Sequence, residues 1–448
     1  MKSFLVIGNG AREAIFADKL AYDSVVYAVM AHPNPTIVEA IKKNNGQFII
    51  GDINDGDFIA DFAIKNNIDY VFVNSDNPLA SGVVDKLLAK NVKAIGPTKE
   101  GARIEWDKIY SIDVVKKITP QFCPKYQVIE KSSQIDDAIG FFKGCDLVVK
   151  PQGLTGGKGV KVMGEHLKNI QEVKEYIQSL LKDDAKILLT EKLLGFEFTI
   201  MAITDGDEII FAPATYDYPY RYNDDKGPGT GGMGCFTAKS KTLPFMTNKD
   251  FDDCCQILRS VIDYFKAQKI HFNGVLNGGF FLTEYGIKFM EFNARFGDPE
   301  GVNVLSLIDD SFANLLEAIY QKRLFAKDFK FLSKASVVKY LVTKEYPNKG
   351  AQVKFNLDVK KIKDLGIDVY FSAAKKSDSE FDYETVSSSR VVALSLVGED
   401  IVSSSDKLNQ IIDSFIAKTG LEYRQDIAGQ KEITKFETTK FDANVKYC

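Results

Sequence analysis

The sequence predicts a multidomain chain of mixed class, with a doubly wound parallel α/β unit at the N-terminus and α+β units after it. Three observations predict this. Residues 1–100 alternate apolar strands with helical segments, residues 186–293 are rich in β segments, and from about residue 333 several strands precede one helix. The length of 448 residues suits two to four such units.

The N-terminal unit is predicted from continuous apolar runs such as SFLVIG, which are typical of parallel strands covered on both faces. The predicted strands are SFLVIG, SVVYAVMA, QFIIG, IDYVFVNS and VKAIGP. The predicted helices between and after them cover Ala11–Tyr22, Thr36–Asn44, Asp57–Asn66 and Gly82–Lys90. This alternation indicates a sheet with helices on both faces.

The rest of the chain shows longer helices and hairpin-like β segments. The predicted helices cover Lys99–Lys117, Ile170–Leu181, Phe251–Lys269 and Ser403–Thr419. The predicted strands are DLVVKP, GVKVMG, several segments within 186–218, a hairpin over 274–293 that turns at 284–286, and SVVKYLV, DVYFSAA and SRVVALSLVG. The charged segment after Ile427 is predicted to be peripheral.

The composition argues against several classes of protein. A net charge of −4 and an isoelectric point near 5.7 disfavour a dedicated nucleic-acid or membrane-surface protein. No apolar run approaches the roughly 20 residues of a membrane span, and the opening MKSFLVIGNGAREA is not a secretory signal. The six cysteines form no CxxC pair, and the three histidines lie apart from Cys or Ser signatures. We therefore expect a cytoplasmic protein without nucleic-acid or membrane partners.

The stretch KPQGLTGGKGV, residues 150–160, places glycines between two lysines. Glycines without a Cβ let backbone N–H groups approach a ligand closely, and lysines supply point charges for phosphate oxygens. The spacing does not match a Walker loop, because Gly153 and the Gly157-Lys158 pair are separated by three residues instead of four. A polyphosphate cradle and a flexible hairpin with solvated lysines both remain open at this point.

The turn GNGARE, residues 8–13, follows a predicted strand and opens a predicted helix. A helix N-terminus favours an anion there. The dinucleotide fingerprint fails, because Glu13 stands where a third glycine is required and the second strand ends without an acidic residue. A contact to a phosphorylated substrate and a purely structural turn are both compatible with the pattern.

The stretch KFMEFNARFGDPE, residues 288–300, is the strongest candidate for a metal site. In a strand, Glu291 and Asn293 share one face, and Met290 and Phe292 the other. A carboxylate and an amide oxygen side by side suit Mg²⁺ shared with phosphates. The alternative is a strand end with solvated polar residues.

Two further stretches are weaker signals. TEKLLGFE, residues 190–197, is predicted at a strand end where a nucleotide base could meet backbone groups, although a charged surface turn explains it equally well. YNDDKGPGTGGMG, residues 222–234, suggests a lid or substrate loop, with a plain long connection as the alternative.

Taken in order, these stretches resemble the ATP-grasp enzymes, and among them the glycinamide ribonucleotide synthetase family. IGNGARE, NPLASGVVD, GPTKEGARIEWDK, VVKPQGLTGGKGV, GPGTGGMG, EFNARFGDPE and YRQDI occur in the family's order over residues 1–427. The resemblance implies an N-terminal α/β domain (1–103), an ATP-grasp domain (104–328) with a mobile lobe at about 123–187, a small α+β domain (329–427) and a tail (428–448).

The resemblance also implies roles for individual residues. It implies ATP contacts for Lys108, Lys150, Gly153, Gly156, Gly157, Lys158, Gly159, Glu191, Leu193 and Glu197, of which Lys150 also counts as catalytic. It implies Mg²⁺ or Mn²⁺ ligation by Glu291 and Asn293, and catalysis by Arg295. It implies contacts to the substrates glycine and 5-phosphoribosylamine for Gly8, Gly10, Arg12, Glu13, Asp217, Arg295 and Asp298.

The implied activity is ATP-dependent ligation of glycine to phosphoribosylamine by an enzyme of purine synthesis, and we expect this enzyme to be a monomer. Three departures affect the details of phosphoribosylamine binding. Ala14 stands where the family usually has histidine, Tyr218-Pro219-Tyr220 replaces a more basic run, and Ser388-Ser389 replaces a glycine pair before Arg390.

Overall fold

The protein is described from a computed structural model, which covers residues 1–153, 159–182 and 186–438. Its N-terminal unit is a parallel sheet of β1 to β5 with helices α1 to α5. The strands are β1 (Ser3–Ile7), β2 (Val25–Met30), β3 (Phe48–Ile50), β4 (Tyr70–Phe72) and β5 (Ala94–Ile95). The helices are α1 (Ala11–Leu20), α2 (Pro35–Lys43), α3 (Gly56–Lys65), α4 (Asp76–Ser81) and α5 (Val83–Ala89).

The strand order β3-β2-β1-β4-β5 confirms the predicted doubly wound unit, in which β1 pairs in parallel with both β2 and β4. Helix α1 packs against α2, and α3 packs against α5. The order reverses between β1 and β4, and ligands of open α/β sheets bind beyond the carboxyl ends of the strands at such a point. The turn at residues 8–10 lies there.

The helix predicted over Lys99–Lys117 is wrong as one continuous element. It is divided into α6 (Lys99–Trp106) and α7 (Lys108–Ile118). Asp107 has an extended backbone (φ −114°), and its side chain caps α7 by accepting a hydrogen bond from the Tyr110 N–H at 3.1 Å. An aspartate at this position satisfies a free N–H group of the new helix, so the break places Lys108 at the start of α7.

A small lobe follows, with its own hydrophobic core. Its sheet has the order β6-β9-β7-β8 and is flanked by two helices. The strands are β6 (Tyr126–Ile129), β7 (Leu147–Pro151), β8 (Lys161–Val162) and β9 (Ile187–Glu191), and the helices are α8 (Ile135–Gly140) and α9 (Ile170–Leu181). Ile129, Phe142, Val149 and Val173 belong to a buried cluster that is separate from the main core.

The remaining strands are mostly antiparallel. They are β10 (Phe196–Thr204), β11 (Ile209–Phe211), β12 (Thr215–Asp217), β13 (Tyr220–Tyr222), β14 (Lys226–Gly229), β15 (Gly234–Thr237), β16 (Gly274–Thr283), β17 (Gly286–Asn293), β18 (Ala335–Thr343), β19 (Lys354–Phe355), β20 (Asp368–Phe371), β21 (Ala374–Lys376), β22 (Tyr383–Thr385), β23 (Val392–Gly398) and β24 (Leu421–Glu422). The large sheet runs β17-β16-β10-β12-β15-β18-β23-β20, so it continues from the central region into the C-terminal one.

The predicted hairpin is confirmed, since β16 and β17 pair from Thr283 opposite Gly286 up to Asn277 opposite Asn293. A bulge at Met290 interrupts the strict alternation that the sequence suggested, so Phe289 and Phe292 are both buried although three positions apart. Glu291 and Asn293 lie beyond the bulge, and both are more exposed than Phe292 between them.

The helices of the second half are α10 (Asn248–Ala267), α11 (Glu300–Ser306), α12 (Phe312–Tyr320), α13 (Val359–Asp364), α14 (Ile401–Asp413) and α15 (Gln430–Thr438). The expectation of a peripheral segment after Ile427 is wrong for residues 428–438, because α15 buries Ile433 and Phe436. Within the described ranges, no helix is long and apolar enough to cross a membrane.

Candidate active site

The glycines of the N-terminal turn make room for Glu13. The Glu13 carboxylate accepts a hydrogen bond from the Gly10 N–H at 2.8 Å and so caps α1. Gly8 has φ +116°, and a Cβ on Gly8 or Gly10 would come within 3 Å of the Glu13 side chain. The residue that breaks the dinucleotide fingerprint is therefore the one that shapes this turn.

Arg12 connects the turn to the central region. Its guanidinium pairs with the Glu13 carboxylate at 2.8 Å and donates to the Phe296 carbonyl at 3.0 Å and the Ser75 hydroxyl at 2.9 Å. Arg12 and Glu13 are both buried. These contacts bring the 8–13 turn next to the loop that carries Asp298.

Two of the three lysines predicted for ATP contact, Lys108 and Lys150, lie near one another and near Glu291. Lys108 Nζ donates to the Gly153 carbonyl, and Lys150 Nζ lies 3.4 Å from the Met290 carbonyl oxygen. Burial lowers the pKa of both lysines, and the Glu291 carboxylate opposes that shift. A polyanion would find two cations here, one in the first turn of α7 and one near the end of β7.

The glycine loop is described at its two ends. Gly153 has φ +96°, which is a glycine-favouring conformation, and the Gly159 carbonyl accepts a hydrogen bond from Tyr176 at 2.8 Å. The predicted loop contacts of Gly156, Gly157 and Lys158 lie outside the described residues.

The segment of residues 190–197, predicted to contact a nucleotide base, includes the connection between β9 and β10. Glu191 ends β9, where its carboxylate accepts a hydrogen bond from the Lys125 N–H at 2.8 Å. Leu193 is half-buried in the connection, and Glu197 lies in β10. Burial, together with the nearby Glu291 carboxylate, raises the pKa of Glu197 to about 7, while Lys150 lowers it.

Arg295 follows the proposed metal ligands and is held by a residue that the sequence analysis did not assign. Its guanidinium lies 3.0 Å from the buried Glu105 carboxylate and donates to Asn293 Oδ1 at 3.0 Å. Glu105 also accepts the Ala294 N–H at 2.8 Å. Burial raises the pKa of Glu105 although Arg295 opposes the shift. No group in the described part of the chain forms a hydrogen bond with the buried Arg295 Nε, so this N–H can still donate to a ligand.

Carboxylates crowd the space between these groups. Burial raises the pKa of Asp217 well above its usual range, and the nearby Glu300 and Glu197 carboxylates raise it further. Burial raises the pKa of Glu300 as well. Crowded, buried acids of this kind favour a positively charged ligand, either a metal ion or an ammonium group.

Asp298 lies where three parts of the chain meet. Its carboxylate accepts a hydrogen bond from Tyr340 and pairs with Arg390 at 3.2 Å. Arg390 stacks on the Tyr340 ring at 4.4 Å and donates to the carbonyl of Gly232 in the second glycine-rich loop at 3.1 Å. Arg390 thus ties this loop to Asp298.

A cavity of about 510 Å³ opens beside Asp298, between the N-terminal turn and the C-terminal region. Its polar lining includes Arg12, Glu13, His32, Ser372, Ser389 and Arg390. The cavity therefore borders both the turn predicted to bind substrate and Ser389, one of the two serines that replace the family's glycine pair.

Four site residues were not predicted from the sequence: Glu105, Glu300, Tyr340 and Arg390. Glu105 and Glu300 lie within motifs that carried the family resemblance, so motif position was an available signal for them. Nothing in the local pattern singled out Tyr340, because its partner Asp298 is 42 residues away.

A divalent metal fits this site only together with other ligands. Among the described residues, no group of three or more His, Cys, Asp or Glu side chains is arranged to hold a metal ion. Glu291 offers an exposed carboxylate, and Asn293 Oδ1 is shared with Arg295. Two oxygen ligands suit Mg²⁺ when nucleotide phosphates and water complete the shell.

The fold is shared with ATP-grasp enzymes of known structure. Phosphoribosylamine–glycine ligase from Thermotoga maritima superimposes with a TM-score of 0.74 at 21% identity, covering 95% of this chain and 100% of that one. An N5-carboxyaminoimidazole ribonucleotide synthetase, solved as its ADP complex, gives 0.65 at 13% identity over 93% and 97%. The chain therefore shares its overall fold with these two enzymes.

Sequence comparisons specify the family. Residues 2–105 match the phosphoribosylglycinamide synthetase N domain, and residues 106–301 match the ATP-grasp (A) domain of the same family. Phosphoribosylamine–glycine ligase from Methanothermobacter thermautotrophicus is 34% identical over 96% of this chain and 97% of its own length. The enzyme of the same name from Pyrococcus furiosus is 33% identical over 100% of both chains. The chain belongs to the phosphoribosylglycinamide synthetase family.

Proposed function

We propose that this protein is a phosphoribosylamine–glycine ligase of de novo purine biosynthesis. It would join glycine to 5-phospho-β-D-ribosylamine and convert ATP to ADP and phosphate, which yields glycinamide ribonucleotide. Full-length relatives of that name support the proposal. The observation that carries it is the placement of two lysines near Glu291. Lys108 contacts the Gly153 carbonyl, Lys150 contacts the carbonyl of Met290 next to Glu291, and the Glu291 carboxylate interacts electrostatically with both lysines.

The chemistry needs no protein nucleophile. A carboxylate is a poor acyl donor, because oxide would have to leave. A glycine carboxylate oxygen therefore attacks the γ-phosphorus of ATP, the bond to ADP breaks, and glycyl phosphate forms. The ribosylamine nitrogen then attacks the carbonyl carbon, phosphate leaves with the bonding electrons, and the nitrogen loses a proton. What remains for the protein is positioning and charge stabilisation.

We assign the nucleotide to the cleft between the small lobe and the large sheet. Lys108 and Lys150 would hold the phosphates as point charges, and Lys150 would also stabilise charge that develops during transfer. The residues assigned to the nucleotide are Lys108, Lys150, Gly153, Gly156, Gly157, Lys158, Gly159, Glu191, Leu193 and Glu197.

Glu291 and Asn293 would hold Mg²⁺ or Mn²⁺. When bound, the metal would neutralise negative charge on the phosphates. Arg295 would then release Asn293 Oδ1 and turn toward the reacting carboxylate. The ADP complex of the synthetase named above, and the MgADP complex of a Hydrogenobacter thermophilus biotin carboxylase domain (TM-score 0.67), support nucleotide use by this fold.

We assign the two other substrates to the cavity and its border. The residues assigned to them are Gly8, Gly10, Arg12, Glu13, Asp217, Arg295 and Asp298. Ala14 is buried within α1, and Tyr218 is buried beside Asp217, so neither departure supplies the polar side chain of the family pattern. Ser389 lines the cavity, where its hydroxyl could replace part of the lost contacts.

We further propose the domain limits 1–103, 104–328 and 329–427, with the lobe at about 123–187 moving as a unit over the nucleotide. The separate hydrophobic cluster of the lobe supports this division. Strands β17 to β20 belong to one sheet, so the limit that we propose between the second and third domains falls within a continuous layer. A monomeric, cytoplasmic enzyme remains our expectation.

The test is phosphate release from Mg-ATP by the full-length protein. We expect release to depend on both glycine and phosphoribosylamine generated in situ, with glycinamide ribonucleotide detected by mass spectrometry. Release that depends on glycine with a different amine acceptor would indicate another carboxylate–amine ligase. Binding of ATP without turnover under any acceptor would overturn the proposal of an enzyme.

A further inference from the structure

Helix α15 covers the back of the strands that carry two proposed site residues. Phe436 packs among three aromatic rings of the large sheet and Phe245, which lies between β15 and α10. Its ring centroid lies 4.8 Å from Tyr216, 5.3 Å from Phe245, 5.4 Å from Phe196 and 6.2 Å from Phe236. Aromatic pairs at these distances attract one another, so Phe436 attaches α15 to the sheet.

Two of these aromatic residues directly precede proposed site residues in the sequence. Phe196 precedes Glu197 in β10, and Tyr216 precedes Asp217 in β12. Successive side chains of a strand point to opposite faces, so Phe436 packs behind both carboxylates. Thr199 pairs with Thr215, and continuing that antiparallel register by two residues places Glu197 opposite Asp217.

A second contact holds the residue on the other side of Asp217. The Tyr218 hydroxyl donates to the Glu432 carboxylate of α15 and accepts the Ala428 N–H at 2.8 Å. Arg424 lies over the Tyr218 ring at 4.9 Å. Burial raises the pKa of Glu432 to about 7. Asp217 thus lies between two residues that are both anchored to the C-terminal segment.

We propose that Glu432 and Phe436 are positioning residues of the active site. Through Tyr218 and Tyr216 they hold Asp217, and through Phe196 they hold Glu197, so that the two carboxylates keep their places across the substrate site. The proposal rests on the function proposed above for Asp217 and Glu197. It assigns a catalytic consequence to a helix that the family motifs do not include.

The first test is independent of turnover. Amide hydrogen exchange of residues 215–218 is compared between the full-length protein, Glu432→Ala and Phe436→Leu. Glu437→Ala is the matched control, because Glu437 is an exposed carboxylate of the same helix. We expect exchange at 215–218 to accelerate about tenfold in the first two variants and to stay unchanged in the control. Equal exchange in all proteins would overturn the proposal, whatever reaction the enzyme performs.

The second test separates positioning from simple stabilisation. Glu432→Ala should raise KM for glycine or phosphoribosylamine about tenfold with nucleotide affinity within twofold of the original, because it loosens Tyr218 and not Phe196. Phe436→Leu should also lower the affinity for nucleotide, because Phe436 contacts Phe196 next to Glu197. Glu432→Gln keeps an acceptor for the Tyr218 hydroxyl and should restore most of the loss.

Failure of this proposal can be distinguished from failure of the proposed enzymatic function. Lower thermal stability in Glu432→Ala and Phe436→Leu with unchanged KM values and nucleotide affinity would overturn the proposal, because it would leave α15 a structural role alone. If the unaltered protein shows no glycine-dependent phosphate release, the proposed function fails, and the exchange rates still decide whether α15 holds residues 215–218. Should Glu432→Ala not fold, Tyr218→Phe removes the same hydrogen bond and carries the same expected shift in KM.

Discussion

At the scale of single residues, burial and charge crowding set the properties of the site. Burial lowers the pKa of Lys150 and raises the pKa of Glu197 to about 7, so burial disfavours the charged form of both groups. Phosphates would favour the charged lysine, and a cation would favour the charged carboxylate. Binding of a nucleotide with its metal would therefore raise the pKa of Lys150 and lower the pKa of Glu197, toward the usual values of these groups.

Glu291 is the residue whose removal tests the metal assignment. Glu291→Ala should lower kcat on the order of 100-fold or more, because one of two proposed protein ligands is lost. The side chain is exposed, so the melting temperature should hardly change. Steady-state phosphate release at ordinary Mg²⁺ measures this. Glu284→Ala, an exposed carboxylate in the turn of the same hairpin, serves as the control, and near-normal activity of Glu291→Ala would refute the assignment.

Substitution of Glu105 tests how much its ion pair with Arg295 stabilises the protein. Glu105→Gln keeps the shape and an acceptor for Ala294 but leaves the Arg295 guanidinium without its buried charge partner. We expect the free energy of unfolding to fall by about 3 kcal/mol, since breaking a buried pair leaves one charge uncompensated. Urea denaturation measures it, with Glu100→Gln on the exposed side of the same helix as control. Equal midpoints for the two variants would show that the pair contributes nothing.

At the scale of elements, helix and strand ends deliver the functional groups. The break at Asp107 places Lys108 in the first turn of α7, and β7 carries Lys150 close to the end that leads into the glycine loop. Backbone hydrogen bonds of the helix and of the strand hold these two positions in place. This placement suits a site that holds phosphates between two fixed cations.

If residues 153–159 close over a bound nucleotide, the nucleotide should slow their cleavage by a protease. We expect Mg-ATP to protect the segment 153–159 from limited proteolysis at least about fivefold, because loops that close over a ligand lose access to protease. Mass spectrometry of the fragments identifies the cleavage sites, and cleavage elsewhere in the chain is the internal control. The same rate at 153–159 with and without nucleotide would contradict a closing loop.

At the scale of the whole molecule, distant parts of the chain meet at Asp298. Arg12 reaches across 284 residues to the Phe296 carbonyl, and Arg390 reaches across 92 residues to the Asp298 carbonyl. The continuous sheet from β17 to β20 joins the central and C-terminal regions into one layer. A ligand in the adjoining cavity would therefore contact both the N-terminal turn and the C-terminal region at once.

The reaction as a whole is tested by isotope transfer. If the glycine carboxylate accepts the phosphoryl group, one of its oxygens must leave in the released phosphate. Glycine labelled with ¹⁸O in both carboxylate positions should therefore transfer one label per turnover. Mass spectrometry of the phosphate measures this, with unlabelled glycine in ¹⁸O-water as the control. Product formation with unlabelled phosphate from labelled glycine would mean that another group accepts the phosphoryl.

Local patterns were sufficient for much of the fold. The alternation in residues 1–100 and the 274–293 hairpin were predicted correctly, because buried parallel strands and tight turns have signatures within a few residues. The continuous helix over 99–117 was predicted wrongly, since a single capping aspartate outweighed the helical pattern on both sides. Short helices such as α11 and α13 were missed, because six or seven residues carry little periodicity.

The sequence by itself determined the class of fold, the order of the motifs and the residue types available for phosphate and metal. Only the tertiary structure decided which of them meet: Glu105 with Arg295, Arg390 with Asp298, and α15 behind Asp217. The physical reason is that a strand or a turn is encoded by neighbours in the chain, whereas a buried ion pair or an aromatic cluster forms between residues far apart in sequence. Their partners are selected by the packing of the complete fold.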